Sequence, residues 1–298
     1  MSICIFCHKD ASTSKSVEHI IPESLGNKHH LLPKGYVCDK CNNYFSVKIE
    51  KELLAQPYFV SMRFRNEILT KKDKLVKERI RFPEVCINTE ATLQTSPKRM
   101  TISFDDDVLY KKIQDEKIKT IELPYIPEPT YPNRILSRFL AKCAYEFFLY
   151  NVGKDKYDLC VQELLGKEND ILKNLREYAR FGKGKYWSYS QRRIYSEGDV
   201  VYNQSKGLYL EKLYEMKFFT KEYNEMPNYK VEVEIYFVIA ILGIEYAICI
   251  SDPDISEYQK WLEEHKGISP LTNEGQEMHF NLSTVKPVLI KKDDDRIY

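Results

Sequence analysis

The clearest hydrophobic pattern in this chain lies near its middle. Between positions 133 and 150 the apolar residues recur every three or four positions, which is the spacing of one helix face. This pattern predicts a helix over 133–150 whose apolar face forms the core of the larger part of the chain. The apolar positions are Ile135, Leu136, Phe139, Leu140, Cys143, Ala144, Phe147 and Phe148.

Shorter patterns predict a mixture of helices and strands along the rest of the chain. Helices are expected over 44–54, 57–69, 157–165, 170–181 and 256–265. Strands are expected over 79–87 and 99–104, followed by a turn at 105–107, and a β-hairpin over 230–240 and 243–251. This distribution indicates the α+β class.

Two boundaries follow from composition. Residues 123–132 carry four prolines, which favours an extended linker. The two pairs of closely spaced cysteines lie within the first 41 residues, and the helix after them is expected to end at 54. We therefore divide the chain into a small N-terminal module, 1–56, and a larger mixed α+β domain, 57–298.

Composition narrows the class of protein. Of the 298 residues 43% are hydrophobic and 13% aromatic, enough for a substantial core. No apolar run has the length of a membrane span, and the first cysteine follows Met1 so closely that no signal peptide is expected. We therefore expect a soluble cytoplasmic protein without a membrane partner. Four cysteines lack a pairing pattern and are expected to be reduced core residues: Cys86, Cys143, Cys160 and Cys249.

The two C-x2-C pairs, Cys4 with Cys7 and Cys38 with Cys41, predict one structural zinc ion. Paired thiolates at this spacing can each bind a metal from a tight turn. Disulfides are the weaker interpretation, and His8 is an alternative to Cys7 as a ligand. Four thiolates would leave the zinc without an open coordination position, so any chemistry must come from residues that the zinc holds in place.

The segment between the pairs reads Glu18-His19-Ile20-Ile21-Pro22, and Asn42-Asn43 follows the second pair directly. In order, spacing and residue type, the first 55 residues or so resemble the HNH, or ββα-metal, endonuclease family in its zinc-knuckle form. The resemblance implies that His19 is the general base that deprotonates water. It also implies that Glu18 and Asn42 hold one catalytic Mg²⁺ or Mn²⁺ against the scissile phosphate.

General chemistry agrees with these roles. An imidazole titrates near neutral pH and can accept a proton from water. Carboxylate and amide oxygens suit a hard cation such as Mg²⁺. Two alternatives stay open: Asn42 is also a suitable helix N-cap, with Asn43 as a substitute in either role.

The family's central Asn, a few residues before the second cysteine pair, is absent, because 32–37 of this chain contains none. Asn27 lies earlier in the sequence. We therefore expect the His19 ring to be oriented by a hydrogen bond to a backbone carbonyl instead.

Net charge is +1, so a nucleic-acid surface must be assembled locally. One basic stretch, 63–81, carries eight cations and three acids. Its part from Lys71 to Arg81 fits a solvated face better than a nucleic-acid-binding face. A second stretch, 176–193, interleaves cations and aromatic rings, which suits phosphate contacts and base stacking as well as it suits a solvated face over core aromatics. Its candidate nucleic-acid-binding residues are Lys183, Lys185, Tyr186, Trp187, Arg192 and Arg193.

The sequence thus predicts an endonuclease that hydrolyses phosphodiester bonds in DNA, with RNA as an open alternative. A role in restriction or phage defence is an analogy with standalone proteins of the family. The domain over 57–298 is expected to recognise the target or to regulate activity, with an activator ligand and a homodimer as open options. The alternative function is a non-catalytic, zinc-dependent nucleic-acid-binding adaptor or regulator.

Overall fold

The computed structural model describes residues 2–96, 99–115, 117–125, 127–152, 170–195, 199–203, 208–210, 213–223, 232–271 and 280–281. These residues form a mixed α+β structure of helices and antiparallel sheets. No helix within these ranges has the length and apolar character needed to cross a membrane.

Seven α-helices lie in the described residues: α1 (Asp39–Phe45), α2 (Lys51–Leu54), α3 (Pro57–Arg65), α4 (Asp107–Gln114), α5 (Arg134–Val152), α6 (Asp170–Phe181) and α7 (Ser256–Glu264). A π-helical turn, Ser46–Glu50, joins α1 to α2. The helices predicted over 133–150, 170–181 and 256–265 are confirmed as α5, α6 and α7. The predicted helix over 157–165 lies outside the described residues.

Two local predictions near these helices need correction. The first helix begins at Asp39 rather than at position 44, so Cys38 is its N-cap residue and Cys41 lies in its first turn. The predicted turn at 105–107 is shorter, because α4 begins at Asp107 and the Asp106 carboxylate caps this helix by accepting from the Val108 and Leu109 backbone N–H groups, each at 3.0 Å.

Ten strands lie in the part of the chain that the structure describes: β1 (Glu78–Phe82), β2 (Ile87–Ser96), β3 (Arg99–Phe104), β4 (Ser190–Arg193), β5 (Asp199–Asn203), β6 (Leu208–Leu210), β7 (Tyr214–Tyr223), β8 (Glu232–Ile241), β9 (Ile244–Cys249) and β10 (Phe280–Asn281). They form three antiparallel sheets ordered β1-β2-β3, β10-β5-β6 and β4-β9-β8-β7. The predicted hairpin is confirmed as β8 and β9, and 99–104 is confirmed as β3. The strand expected over 79–87 is shorter, because a 3-10 turn at Pro83–Val85 ends it.

The cysteines without a pairing pattern divide into two groups. Cys143 and Cys249 are free and buried, as expected. Cys86 is exposed, because it ends the 3-10 turn with a left-handed backbone conformation and is not a core residue. Cys160 lies outside the described residues.

Helix α5 lies at the centre of the main core and positions the N-terminal segment. One contiguous buried cluster contains Ile5 and Ile20 of that segment, Phe139 of α5 and Ile248 of β9. Hydrogen bonds add to this contact: the Tyr145 hydroxyl donates to the Ile5 carbonyl at 3.1 Å, and the Cys143 thiol donates to the Ile20 carbonyl at 3.1 Å. Each fully buried large apolar side chain stabilises such a core by about 1.5–3 kcal/mol. The segment that carries Glu18 and His19 is therefore packed directly on α5.

Candidate active site

The four cysteines of the two C-x2-C pairs converge on one point. The Cys4, Cys7, Cys38 and Cys41 sulfur atoms all lie within 4.8 Å of one another. The distance between the Cys7 and Cys38 sulfur atoms is 3.7 Å. A tetrahedron with metal–sulfur bonds of about 2.3 Å has edges of about 3.8 Å, so the spacing fits a four-coordinate ion. This cluster is compatible with a structural zinc ion.

Hydrogen bonds around the sulfur atoms favour a thiolate at Cys4, while the same contact with Cys4 and burial raise the pKa of Cys41 and burial raises that of Cys7. The hydrogen bond with the Cys41 thiol is the main reason why the pKa of Cys4 falls to about 4, in spite of burial. The Cys38 backbone N–H also donates to the Cys4 sulfur at 3.3 Å, and the Arg180 Nε donates to the Cys41 sulfur at 3.3 Å. Such donors stabilise thiolate ligands and fix their orientation. Arg180, from α6, also lies 3.6 Å from the centre of the Tyr44 ring, so α6 completes the surroundings of this cluster.

His19 lies on a short antiparallel pairing that encloses the loop over 21–29. Its backbone forms an isolated bridge with Leu31. On either side, the Ile20 N–H donates to the His30 carbonyl at 3.1 Å and the Leu32 N–H donates to the Glu18 carbonyl at 2.9 Å. Isoleucines at 20 and 21 are fully buried, which fixes the strand against the core. The backbone on either side of His19 is therefore held to the segment 30–32.

The His19 side chain is half-buried, and this burial is the main reason why its pKa lies below the ordinary value of 6.5. The imidazole is therefore neutral at neutral pH, which a general base requires. Its ring makes no hydrogen bond within the described part of the chain, so the expected bond to a backbone carbonyl is not seen there. Lys142 instead holds the His19 backbone, because its ammonium donates to the His19 carbonyl oxygen at 3.0 Å.

Glu18 points into a buried charge cluster on α5. Its carboxylate lies 2.6 Å from the Lys142 ammonium, which also lies 3.1 Å from Glu50 and 3.2 Å from Glu146. Only 4% of the Glu18 side chain is exposed. Burial raises the pKa of Glu18 to about 7, because desolvation outweighs the attraction of Lys142. Burial also acts to lower the pKa of Lys142, but the three carboxyl groups together raise it well above its usual value.

Asn42 lies one turn into α1 and faces the strand that carries His19. Its Nδ2 donates to the Val17 carbonyl at 3.3 Å, and its Oδ1 accepts no hydrogen bond from the described residues. The N-cap of α1 is Cys38, so the alternative in which Asn42 caps the helix is wrong. Asp39 adds a second link, because its carboxylate accepts from the Ser16 backbone N–H at 2.8 Å. Helix α1 is thereby tied to the residues just before Glu18. Asn43 is exposed and makes no such link.

Asn27 is the residue whose importance the sequence did not reveal. It is fully buried, and its Nδ2 donates to the Ile21 carbonyl at 2.7 Å and the His30 carbonyl at 3.0 Å. Its Oδ1 accepts from the His29 and His30 backbone N–H groups, both at 2.9 Å, and from the Tyr214 hydroxyl at 3.0 Å. Asn27 therefore closes the loop after His19, although it lies earlier in sequence than the central Asn of the family. Its one local signal was its position directly after Gly26.

The structure places the candidate residues of the second basic stretch, 176–193, in different environments. Trp187 is 4% exposed and its indole N–H donates to the Cys249 carbonyl, so it packs in the core. Arg192 pairs with Glu245 and Arg193 pairs with Glu128, each at 2.6 Å. Trp187 is therefore a core residue, and the two arginines belong to a solvated, ion-paired face. None of the three fits a role in base stacking or phosphate contact as well. Tyr186 is half-buried, and burial raises its pKa to about 12.

Lys183 and Lys185 remain accessible within this stretch. Both are exposed, and they line a surface cavity of about 450 Å³ whose other walls include Asn174, Glu177 and Asp252. Since two of these wall residues are acidic, the cavity does not have the strongly basic character that a phosphate-binding surface needs.

Comparison with known proteins identifies the N-terminal segment. Residues 4–57 match a family model described as HNH endonuclease. No curated protein and no solved structure matches the chain. The matched residues include both cysteine pairs, the Glu18-His19 pair and Asn42, and nucleic acid is the substrate that this type of domain implies. The chain therefore carries an HNH-type endonuclease module with a four-cysteine cluster at its N-terminus, joined to a larger part that the family model does not cover.

Proposed function

We propose that this protein is a metal-dependent endonuclease that hydrolyses phosphodiester bonds in DNA, with His19 as the general base. The observation that carries the proposal is the state of His19 within the matched module. Its imidazole is half-exposed, its pKa is lowered by burial, and its backbone is fixed by the pairing with 30–32 and by the Lys142 ammonium. A neutral, positioned imidazole that solvent can reach can accept the proton of an attacking water.

Glu18 and Asn42 would hold the catalytic Mg²⁺ or Mn²⁺. When bound, such a cation neutralises charge that develops on the phosphate and on the leaving oxygen. The donor atoms are of the right type, since carboxylate and amide oxygens suit hard cations. Asn42 offers an Oδ1 that no described residue occupies, whereas Glu18 would have to exchange its contact with Lys142 for the cation. The four thiolates would hold a structural zinc ion that keeps α1 and the His19 strand together.

A plasmid-nicking assay tests this function. We expect nicking of supercoiled DNA with Mg²⁺ or Mn²⁺, none with chelator, and a loss of at least about 100-fold in His19→Ala, because general-base catalysis contributes about 10²–10⁴-fold. The matched control is His29→Ala, since His29 is an exposed histidine of the same loop whose contact with Asn27 uses its backbone. Equal nicking by both variants and the wild type would remove His19 from the mechanism.

A second function is favoured by one specific observation. The contact between Glu18 and Lys142 supports a non-catalytic, zinc-dependent nucleic-acid-binding protein, because a buried ammonium already neutralises the carboxylate that should bind the catalytic metal. This alternative predicts that the wild type binds DNA but does not nick it under any divalent cation, and that His19→Ala binds equally well. RNA can replace DNA as the substrate in the same assays.

The larger part of the chain would recognise the target or regulate cleavage. Its close packing on the module supports this role, since α5 contacts Glu18 and the His19 backbone while α6 contacts Cys41. A regulatory ligand there, a homodimer, and a role in restriction or phage defence are extensions of the proposal. Nicking of modified DNA, or of plain DNA only after an activator is added, would support regulation of this kind.

A further inference from the structure

A surface cavity of about 370 Å³ with several basic residues in its walls lies beside the proposed catalytic residues. Its polar walls come from three places: the loop after His19, the π-helical turn with the start of α2, and α3 with the segment that follows it. The polar and charged residues that line it are Ser24, Ser46, Glu50, Lys51, Arg63 and Lys71.

Arg63 is the unusual member of this lining. It is 7% exposed, and its Nε is buried with no hydrogen-bond partner. Within the described part of the chain no carboxylate lies within ion-pair distance of its guanidinium. Arginine keeps its charge under all ordinary conditions, so burial without a partner costs free energy. A guanidinium held in this way, at the wall of an open cavity, points to an anion that is bound there.

The other charged groups leave the cavity positive. Lys71 is exposed and its ammonium donates to the Ser46 hydroxyl at 3.2 Å, without a carboxylate partner in the described residues. Lys51 adds another exposed cation. The single acid of the lining is Glu50, which is paired with Lys142 at 3.1 Å. Three cations therefore face a cavity lined by one carboxylate, which is ion-paired with Lys142.

The cavity adjoins the catalytic residues. Glu50 lines it and binds Lys142, and the same ammonium donates to the His19 carbonyl. A nucleic-acid strand with one phosphate at His19 would thus carry its neighbouring phosphates past this cavity, since phosphates recur along each strand.

We propose that Arg63 and Lys71 form a phosphate subsite for the nucleic-acid backbone, next to the scissile phosphate. The inference rests on the proposed nuclease or nucleic-acid-binding function and assigns the substrate contact that positions the strand. Both residues lie outside the segment 4–57 that the family model covers. The guanidinium would bind two phosphate oxygens through its planar N–H groups, and the ammonium would add a point charge.

The test measures binding rather than cleavage. The His19→Ala protein, in full length, is titrated with a fluorescently labelled DNA duplex of about 20 base pairs at several salt concentrations without divalent metal. We expect Arg63→Gln and Lys71→Gln each to weaken binding about 5- to 20-fold at low salt. Each should also reduce the slope of log affinity against log salt by about 0.9, the value for one phosphate contact.

Lys72→Gln is the matched control, since Lys72 is exposed beside Lys71 but does not line the cavity. It should leave the slope unchanged. Because Arg63 is buried, each variant is also checked for zinc content and thermal melting. If Arg63→Gln fails to fold, Lys71→Gln carries the test alone, since this side chain is exposed. Equal slopes for Lys71→Gln and Lys72→Gln would overturn the subsite.

Two further measurements distinguish the phosphate subsite from the proposed nuclease activity and from a site for a free anion. The same substitutions in the catalytically intact protein should raise KM in the nicking assay more than they lower kcat. Loss of nicking in His19→Ala with no effect of Arg63→Gln or Lys71→Gln on binding would keep the nuclease and overturn the subsite. Inorganic phosphate at equal ionic strength should raise the melting temperature weakly. Strong, Arg63-dependent protection by phosphate without an effect on DNA binding would assign the cavity to a free anion and overturn the backbone assignment.

Discussion

Lys142 is the residue on which the structure makes its sharpest energetic prediction. It is fully buried and lies within 3.2 Å of three carboxyl groups, those of Glu18, Glu50 and Glu146. It also donates to the His19 carbonyl at 3.0 Å. Lys142→Met keeps the length and apolar stem of the side chain but removes the ammonium, so the carboxyl groups lose their shared cation and the carbonyl loses its donor.

We expect this substitution to lower the free energy of unfolding by about 3–5 kcal/mol, the cost of removing one partner from a buried ion pair. Relative to a total stability of about 5–15 kcal/mol for a typical protein, this is a large loss. The control is Lys77→Met. Lys77 pairs with Glu90 at 3.8 Å, with 64% and 71% of the two side chains exposed, and loss of such a pair costs at most about 1 kcal/mol.

Urea denaturation followed by tryptophan fluorescence measures both variants. Since buried carboxyl groups cause the penalty, Glu18→Gln added to Lys142→Met should recover part of the loss, whereas Glu18→Gln alone should destabilise the protein. If Lys142→Met and Lys77→Met differ by less than about 1 kcal/mol, the buried cluster does not hold the module to α5.

Three further predictions concern the module. Asn27→Ala removes five hydrogen bonds of a buried amide. Since each unsatisfied buried group costs about 1–3 kcal/mol, this change should lower the free energy of unfolding by about 2–4 kcal/mol in the same urea assay. A loss under about 1 kcal/mol would contradict the role of Asn27 in closing the loop. Cys41→Ser should reduce bound zinc, measured by elemental analysis, from one ion per chain to near zero. It should also expose the module to protease, because a structural metal contributes folding free energy. The control Cys86→Ser should retain the zinc. Because burial lowers the pKa of His19, neutral imidazole predominates at and above the ordinary pKa of about 6.5, so nicking should be flat from about pH 8 to 6.5 and decline only below that; a decline beginning near pH 7.5 would argue against His19 as the base.

The parts of this molecule that the sequence predicted are those with a local cause. The helix face from Ile135 to Phe148 repeats at helical spacing, so α5 could be assigned within two residues at each end. The β8–β9 hairpin has strands rich in Val, Ile and Tyr around a tight turn. The doubled C-x2-C motif likewise predicted four converging sulfur atoms, because two thiol pairs at this spacing are typical of a single tetrahedral metal site.

Residues whose environment comes from distant segments could not be assigned in this way. Glu18 was predicted to be a metal ligand from its place in the motif, and its ion-pair partner Lys142 could not be foreseen because it is 124 positions away and reaches Glu18 only when α5 packs on the module. For Trp187 the sequence left base stacking and a place in the core as alternatives, and the choice depends on the Cys249 carbonyl of β9, which accepts the indole N–H. In each case local sequence gives the residue type, and long-range packing decides burial and charge pairing.

The sequence by itself determined the residue types of the module: four cysteines with metal-ligand spacing, a histidine suited to act as a base, and the elements that have local periodicity or capping. Only the tertiary structure decided which charges neutralise one another and which remain open. It buried Asn27 as the centre of the loop, closed Glu18 against Lys142, and left Arg63 at an open cavity without a carboxylate partner among the described residues. The physical reason is that hydrogen bonding, desolvation and charge pairing depend on distances in space, which local sequence patterns do not contain.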